Sequence, residues 1–302
     1  MQTSAPSARA MAAVGTQWWA AFRSPRTRSS ERASSLARLR KSLLADALRA
    51  WQRPPGARPF VLGHRGARHA APENTLAAFE LARKEGADGI ELDVRLDGDG
   101  QVIVLHDPTL ARVTQNADTR HAEDIPSREM ARLDVGKGER VPTLSEVLSW
   151  AREHDQRVNV ELKSDVRNRL LLLRQVQRVM TRQALPSVIF SSFHPYFVWW
   201  LARRLPELPR AWLVHKKQPI LKYAPGLRRL GANALHPEHV LADSARVARL
   251  KSAHFLVNTW TVNDPARARE LSRIGVDAII SDVPGKILAE LTNAPLDALG
   301  AR

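Results

Sequence analysis

Residues 60–107 read FVLGHRGARHAAPENTLAAFELARKEGADGIELDVRLDGDGQVIVLHD. Short apolar runs occupy 60–63, 89–94 and 102–105, and a helical pattern separates the first run from the second. Strands that alternate with helices are the unit from which parallel sheets are built. Similar units follow as far as residue 280. The sequence therefore predicts an α/β fold, a single-domain (β/α)₈ barrel of the TIM type.

The repeated units contain nine candidate strands, one more than an eight-stranded barrel needs. These are residues 60–63, 89–94, 102–105, 158–162, 188–191, 211–214, 233–235, 256–260 and 278–280. The DGDG sequence at 97–100 is typical of a hairpin turn, so we expect the second and third strands to run antiparallel. That pairing would bring His106 back beside Glu91 and Asp93.

The helices between these strands carry start signals. Asn74 is interpreted as the N-cap of a helix over residues 75–85, with a role as a substrate ligand as the alternative. Thr143 and Glu146 form a capping-box pattern at the start of a later helix. Asn263 is likewise interpreted as a helix cap.

The residue types exclude some kinds of chemistry. None of the 302 residues is cysteine, so disulfides, thiolate nucleophiles and thiolate metal ligands are excluded. A metal ion would have to be held by oxygen or imidazole ligands. The composition is 44% hydrophobic and 25% charged, which is typical of a globular domain rather than a disordered chain.

The positive charge is concentrated near the amino terminus. Residues 1–58 contain ten Arg and one Lys against two acidic residues, and so hold nine of the fifteen net positive charges. A Pro-Pro-Gly sequence at 54–56 ends this Ala- and Ser-rich stretch. We predict a basic N-terminal extension and linker at 1–57, a barrel domain at 58–290 and a C-terminal tail at 291–302.

The basic extension has two interpretations. Residues 36–51 are compatible with an amphipathic helix that contacts an anionic membrane, although Arg40 interrupts its apolar face. The other interpretation is a disordered basic tail. No export signal is recognised, so we expect a cytoplasmic protein, with membrane association under the first interpretation.

Three carboxylates fall at or near the carboxyl ends of predicted strands, where barrels of this type place their active sites. Glu91 and Asp93 are two residues apart on one strand and so point to the same face. Glu161 belongs to another strand. Crowded carboxylates repel one another unless a cation lies between them, and oxygen ligands suit Ca²⁺ or Mg²⁺. We predict a site for one divalent cation.

Histidines and basic residues accompany these carboxylates. His64 and His106 follow strands, and the histidine side chain ordinarily has a pKa near neutral pH, as proton transfer requires. Arg65 and Lys163 offer positive charge to a phosphate group. A cation, two histidines and two basic residues together indicate phosphoryl-group chemistry.

The chain resembles the glycerophosphodiester phosphodiesterase family. The matching motifs lie in the family's order and cover residues 59–288 or so. They are GHRG at 63–66, PENT at 72–75, ELD at 91–93, HD at 106–107, ELK at 161–163, SF at 192–193, WTVN at 260–263, GVD at 275–277 and ISD at 280–282. Each motif is short, and their specificity comes from the ordered set.

The resemblance implies a role for each candidate residue. His64 and His106 would be the acid and base, in either order; Glu91, Asp93 and Glu161 would bind the metal; Arg65 and Lys163 would hold the phosphate; Phe193 and Trp260 would line the glycerol or alcohol pocket. The implied reaction hydrolyses a small glycerophosphodiester to glycerol 3-phosphate and an alcohol.

Two alternatives stay open. The segment at 133–144 is short and no large insertion follows His106, so an open mouth could accept lysophospholipids in a lysophospholipase D-like reaction. The aromatic run at 196–200 would either pack as an outer helix or form an apolar surface near that mouth. A non-catalytic barrel that binds membranes or nucleic acid is the alternative from another class. We expect no nucleic-acid partner, and the sequence leaves the oligomeric state open.

Overall fold

The computed structural model describes residues 30–182, 184–185, 187–218 and 224–293. The strands, labelled β1 to β9, are Phe60–His64, Gly89–Leu96, Val102–Val104, Arg157–Leu162, Val188–Ser192, Arg210–Val214, Ala234–Pro237, Leu256–Thr259 and Ala278–Ser281. The helices, α1 to α10, are Ser30–Trp51, Leu76–Lys84, Ser127–Met130, Leu144–Glu153, Arg169–Arg182, Pro195–Arg204, Ala224–Arg229, Ser244–Ser252, Pro265–Arg273 and Pro284–Asn293. Two 3₁₀ helices cover Ala122–Asp124 and His239–Leu241.

The sheet is a closed parallel barrel. Its strands follow the order β1-β9-β8-β7-β6-β5-β4-β2, and β2 pairs with β1 to close the ring of eight. β3 pairs with β2 alone, in antiparallel register, and lies outside the ring. The predicted TIM-type fold and the predicted hairpin are therefore confirmed, and the candidate strand that the barrel does not need is the third one, β3.

Strand residues alternate between the barrel interior and the helices that surround it. Val61 of β1 packs with Leu235 and Ile279 in the outer core, while Leu62 packs with Ile189 in the interior. Burial of each such side chain contributes about 1.5–3 kcal/mol to folding. The near-continuous apolar strands of the sequence reflect this burial on both faces.

The helix α1 closes the amino-terminal end of the barrel. Trp51 is fully buried among interior residues that include Leu62 and Ile189. Nε of Arg157, at the start of β4, donates to the carbonyl oxygen of Ala50 at 3.2 Å. The backbone N–H of Arg53 donates to Asp277 Oδ1, just before β9, also at 3.2 Å. The helix therefore ends as a plug on the side opposite the mouth.

The basic extension is helical where it is described. α1 begins six residues before the predicted amphipathic helix at 36–51. Arg40, which interrupts the apolar face in the sequence, lies with its Nε 3.9 Å from Oε2 of the buried Glu207. Residues 1–29, and 294–302 of the predicted tail, lie outside the described residues, and the division at residue 57 stays a prediction. Within the described part of the chain, no helix is long and apolar enough to cross a membrane.

Two of the predicted helix caps are wrong. Thr75, not Asn74, caps α2, because Asn74 has a left-handed φ of 58° while an N-cap needs extended backbone. Asp264, not Asn263, caps α9 by accepting from the N–H of Ala266. Both asparagine side chains are instead bonded to carboxylates of the mouth.

Other local predictions are confirmed. The capping box of α4 is present, with Thr143 and Glu146 bonded reciprocally. The aromatic run forms α6, in which Phe197 and Trp200 are buried against the barrel, as outer-helix packing predicts. Tyr196, on the first turn of that helix, is exposed.

Candidate active site

The strand register brings the three carboxylates together. Glu91 and Asp93 both point inward from β2, and Asp93 lies opposite Glu161 of the neighbouring β4. One oxygen from each residue lies within 4.8 Å of the other two. His64, at the end of β1, is the register partner of Glu91 on the other side. The barrel therefore gathers residues from three strands at one point of the mouth.

The three carboxyl groups differ in their electrostatics. Burial, together with the charges of Asp93 and Glu161, raises the pKa of Glu91 well above its usual range. Burial also raises the pKa of Glu161, although Lys163 opposes that shift. Burial acts in the same direction on Asp93, but Lys163 and Arg65 outweigh it and hold its pKa below the usual range.

Two basic side chains, Lys163 and Arg65, partly compensate the negative charge of the three carboxylates. Lys163 Nζ lies 2.8 Å from Glu161 Oε1 and 3.3 Å from Asp93 Oδ1. Arg65 Nε lies 3.2 Å from Asp93 Oδ2, on the other side of the cluster. Three convergent carboxylates against two basic groups leave an excess of negative charge around a set of oxygen donors. This donor set fits a divalent cation such as Ca²⁺ or Mg²⁺.

The loop after β1 holds Arg65 over the cluster. Arg65 has a left-handed φ of 57°, and its N–H donates to the carbonyl oxygen of Glu91 at 2.9 Å. A Cβ atom at Gly66 would lie 2.5 Å from the backbone carbon of Ala78, so only glycine lets α2 pack this closely. Arg65 Nη1 also donates to Glu73 at 2.9 Å.

His64 lies between two carboxylates. Its Nδ1 is 2.6 Å from Asp282 Oδ1, and its Nε2 is 3.9 Å from Glu91 Oε2. Burial lowers the pKa of His64, although the hydrogen bond to Asp282 partly opposes this. Asn263 holds Asp282 in turn, through an Nδ2 to Oδ2 hydrogen bond of 2.7 Å.

His106 follows β3 and has a similar arrangement. Its Nδ1 is 2.6 Å from Asp107 Oδ1. The buried Arg95 fixes the backbone here, because its Nε donates to the carbonyl oxygen of His106 at 2.7 Å. Burial lowers the pKa of His106, with a smaller opposing effect from Asp93. Each histidine thus has one nitrogen on a carboxylate and the other available.

A cavity of about 200 Å³ opens beside the cluster. His106, Glu161, Lys163 and Phe193 are among the residues that line it. The ring of Trp260 lies edge-on to Phe193, with the centroids 5.6 Å apart, and its Nε1 donates to the carbonyl oxygen of His236. Phe193 therefore lines the cavity directly, whereas Trp260 supports the Phe193 ring.

The structure brings the predicted site residues together and adds several that sequence reasoning missed. Asn74 Nδ2 donates to Asp93 Oδ2 at 3.0 Å. Asp107 and Asp282 orient the two histidines. Asn263 donates a hydrogen bond to Asp282, and Arg95 donates one to the carbonyl oxygen of His106. The PENT, HD, WTVN and ISD motifs contain four of these five residues, but a motif does not reveal which side chains meet.

Residues 64–286, which include every predicted site residue, match the model described as the Glycerophosphoryl diester phosphodiesterase family. The chain belongs to this family of glycerophosphoryl diester phosphodiesterases. The resemblance stated from the sequence motifs is therefore confirmed.

Relatives within the family are similar over almost their whole length. A glycerophosphodiester phosphodiesterase of Caldanaerobacter subterraneus subsp. tengcongensis is 32% identical, over 76% of this chain and 96% of its own. A solved phosphodiesterase from Oleispira antarctica, in complex with the product sn-glycerol-3-phosphate, is 30% identical with a TM-score of 0.71, over 78% and 98% of the two chains. A glycerophosphodiester phosphodiesterase structure from Agrobacterium tumefaciens is 29% identical with a TM-score of 0.64, over 76% and 99%.

These relatives confirm the prediction of an enzyme, a glycerophosphodiester phosphodiesterase, over the alternative of a non-catalytic barrel.

Proposed function

We propose that this enzyme is a metal-dependent phosphodiesterase that converts small glycerophosphodiesters to glycerol 3-phosphate and an alcohol by histidine acid–base catalysis. The observation that carries the proposal is the cluster of Glu91, Asp93 and Glu161 in the mouth that also holds His64 and His106. The product named for the Oleispira antarctica structure supports the same reaction.

The histidines are the proton-transfer groups of this proposal. Donation from Nδ1–H to Asp282 or Asp107 leaves Nε2 of each ring free for the reacting atoms. One ring accepts a proton from the water that attacks phosphorus, or from the glycerol hydroxyl in a route whose cyclic phosphate water then opens. The other ring gives a proton to the oxygen of the leaving alcohol as its bond to phosphorus breaks. The lowered pKa values of His64 and His106 keep a neutral ring available for the first step.

The carboxylates and basic groups bind the phosphate in this proposal. Glu91, Asp93 and Glu161 would hold one divalent cation, Ca²⁺ or Mg²⁺, which when bound supplies positive charge to the phosphoryl oxygens. Arg65 and Lys163 border the cluster and contribute their own charge to the phosphate. Because these groups are fixed before substrate arrives, little reorganisation accompanies the reaction.

The aromatic pair defines the organic side of the pocket. Phe193 lines the cavity next to His106 and Lys163, and Trp260 packs against it. We assign the glycerol or alcohol group to this apolar wall. A cytoplasmic location, and membrane contact through the basic N-terminal segment, stay predictions.

A lysophospholipase D-like activity is the second candidate. Tyr196 is exposed three residues after Phe193, so an acyl chain that leaves the cavity on that side would contact the Tyr196 ring. Parallel assays with glycerophosphocholine and lysophosphatidylcholine distinguish the candidates. A preference for the water-soluble diester would exclude the lipid version.

The proposal is tested by the release of glycerol 3-phosphate from glycerophosphocholine in the presence of Ca²⁺, Mg²⁺ or EDTA. We expect metal-dependent release that His64→Ala and Glu91→Ala abolish. His154→Ala is the matched control, because His154 is an exposed histidine at the end of α4, where its Nδ1 faces the carbonyl oxygen of Trp150. No release from the wild type with any metal, or full release in EDTA, would contradict the proposal.

A further inference from the structure

Large apolar side chains are exposed at few places in the part of the chain that the structure describes. Among the described residues, two lie on α1, namely Leu36 and Leu39, which are 37% and 40% exposed. The other three belong to the barrel: Leu170, Tyr196 and Val240 are 39%, 42% and 52% exposed. Scattered single apolar residues are normal on a protein surface, so the information lies in where these three occur.

All three barrel residues are on the face that carries the mouth. Leu170 lies in the first turn of α5, after β4, and Tyr196 in the first turn of α6, after β5. Val240 lies in the 3₁₀ helix that follows β7. The carboxyl ends of parallel barrel strands all meet on this face. We call Leu170, Tyr196 and Val240 the mouth rim.

Contacts link the two sides of this rim to the active-site wall. Nη1 of Arg169, next to Leu170, lies 3.4 Å from Nε2 of His194, whose ring is edge-on to Tyr196. On the other side, the N–H of His239 donates to the carbonyl oxygen of Trp260, and Trp260 packs on Phe193. The mouth rim is therefore built on the same loops as the pocket.

Exposed basic residues accompany the mouth rim. Arg169 is next to Leu170, and Lys216 and Lys217 are on the loop that follows β6, between the loops of Tyr196 and Val240. Lys216 Nζ is 3.2 Å from Glu238, which neutralises part of this charge. Protruding apolar and phenolic side chains among Lys and Arg are the composition that binds an anionic lipid interface.

A lipid surface fits this rim better than a protein partner does. The three apolar side chains follow three separate strands, and cations lie beside Leu170 and between Tyr196 and Val240. Protein interfaces, in contrast, have a packed core depleted of charge. We propose that the mouth rim docks on an anionic phospholipid membrane and turns the active site toward it. As a consequence, which rests on the proposed phosphodiesterase chemistry, docking would give the active site access to acylated glycerophosphodiesters of that membrane in addition to small water-soluble diesters.

Co-sedimentation of the full-length chain with vesicles tests the docking without any turnover. Vesicles of phosphatidylcholine alone are compared with vesicles that contain phosphatidylglycerol. The test variant combines Leu170→Ser, Tyr196→Ser and Val240→Ser. The matched control combines Leu36→Ser and Leu39→Ser, which removes similarly exposed apolar side chains from α1. Circular dichroism and a thermal midpoint close to that of the wild type verify that both variants are folded.

We expect the wild type to bind the anionic vesicles, the rim variant to bind them at least about tenfold more weakly, and the control to bind like the wild type. A Lys216→Glu, Lys217→Glu variant should also bind more weakly, and only where phosphatidylglycerol is present. Three results would overturn the proposal: no vesicle binding by the wild type, loss of binding in the α1 control alone, or a rim variant that changes oligomeric state while it still binds vesicles. The proposed function could fail while binding persists, because binding requires no hydrolysis.

Discussion

His64 Nδ1 lies 2.6 Å from Asp282 Oδ1, although 218 residues separate the two along the chain. His64 ends β1, and Asp282 immediately follows β9, which is the parallel neighbour of β1 in the closed barrel. Barrel closure therefore creates this contact. A carboxylate on Nδ1 fixes the ring orientation and its tautomer, and it stabilises the ring when that ring gains a proton.

Asp282→Asn should lower kcat by about 10²-fold and leave the KM for glycerophosphocholine within a few-fold of the wild type. The amide still fills the space but no longer stabilises a charged His64 ring. Steady-state kinetics check this expectation. Asp264→Asn is the matched control, because Asn caps a helix as well as Asp does, so its kinetics should be unchanged.

Glu91→Gln should weaken Ca²⁺ or Mg²⁺ binding by at least about tenfold. The same change should raise the thermal midpoint of the metal-free protein, because it removes a buried carboxyl group whose ionised form is disfavoured by burial and by repulsion from Asp93 and Glu161. Titration calorimetry measures the affinity, and thermal unfolding in EDTA measures the stability. Glu80→Gln, on α2, should leave metal affinity unchanged. Tight metal binding by Glu91→Gln would argue against the carboxylate site.

Asn74 and Thr75 should separate function from stability. Asn74→Gly keeps the left-handed backbone but removes the hydrogen bond to Asp93, and should weaken metal binding by about 10–100-fold. Thr75→Ala removes the cap of α2 and should cost about 1 kcal/mol of unfolding free energy with metal affinity retained. Calorimetry measures the metal affinity of both variants, and denaturant unfolding measures their stability. A loss of stability in Asn74→Gly, with metal affinity lost only in Thr75→Ala, would indicate that Asn74 is the cap.

Trp51→Ala should lower the unfolding free energy by about 3–5 kcal/mol, because it opens a cavity at the closed end of the barrel. Trp51→Phe should cost much less, since the Trp51 Nε1 has no hydrogen-bond partner to lose. Leu39→Ala, an exposed change on the same helix, should stay within about 0.5 kcal/mol of the wild type. Denaturant unfolding is the measurement, and a neutral Trp51→Ala would show that α1 detaches in solution.

His236 should make the protein sensitive to acid. Its ring is fully buried inside the barrel, and burial lowers its pKa from 6.5 to about 3. Below pH 6.5 the unfolded chain takes up a proton that the folded chain excludes, so stability is full above that pH and falls as pH decreases toward 3. Each pH unit in this window costs up to about 1.4 kcal/mol. His236→Gln should flatten the decline between pH 6.5 and 4, measured by urea unfolding; an unchanged slope would contradict this origin.

Much of the fold could be predicted because its signals are local. Apolar runs of strand length, capping boxes such as that of Thr143 and the DGDG turn each act within a few residues, and all are found in the structure. The spacing of Glu91 and Asp93 also predicted that both lie on one face of a strand, because side chains two residues apart on a strand point to the same side. Local patterns failed at Asn74, where an adjacent Thr75 offers the same capping chemistry and a buried carboxylate competes for the amide.

The sequence by itself determined the fold class, the family and the residue types of the site, since composition, periodicity and ordered motifs hold that information. Only the tertiary structure decided which distant groups meet: Asp282 with His64, and Trp51 with the barrel interior. The reason is physical. Closure of the barrel brings together chain segments more than two hundred residues apart, and no local spacing records that distance.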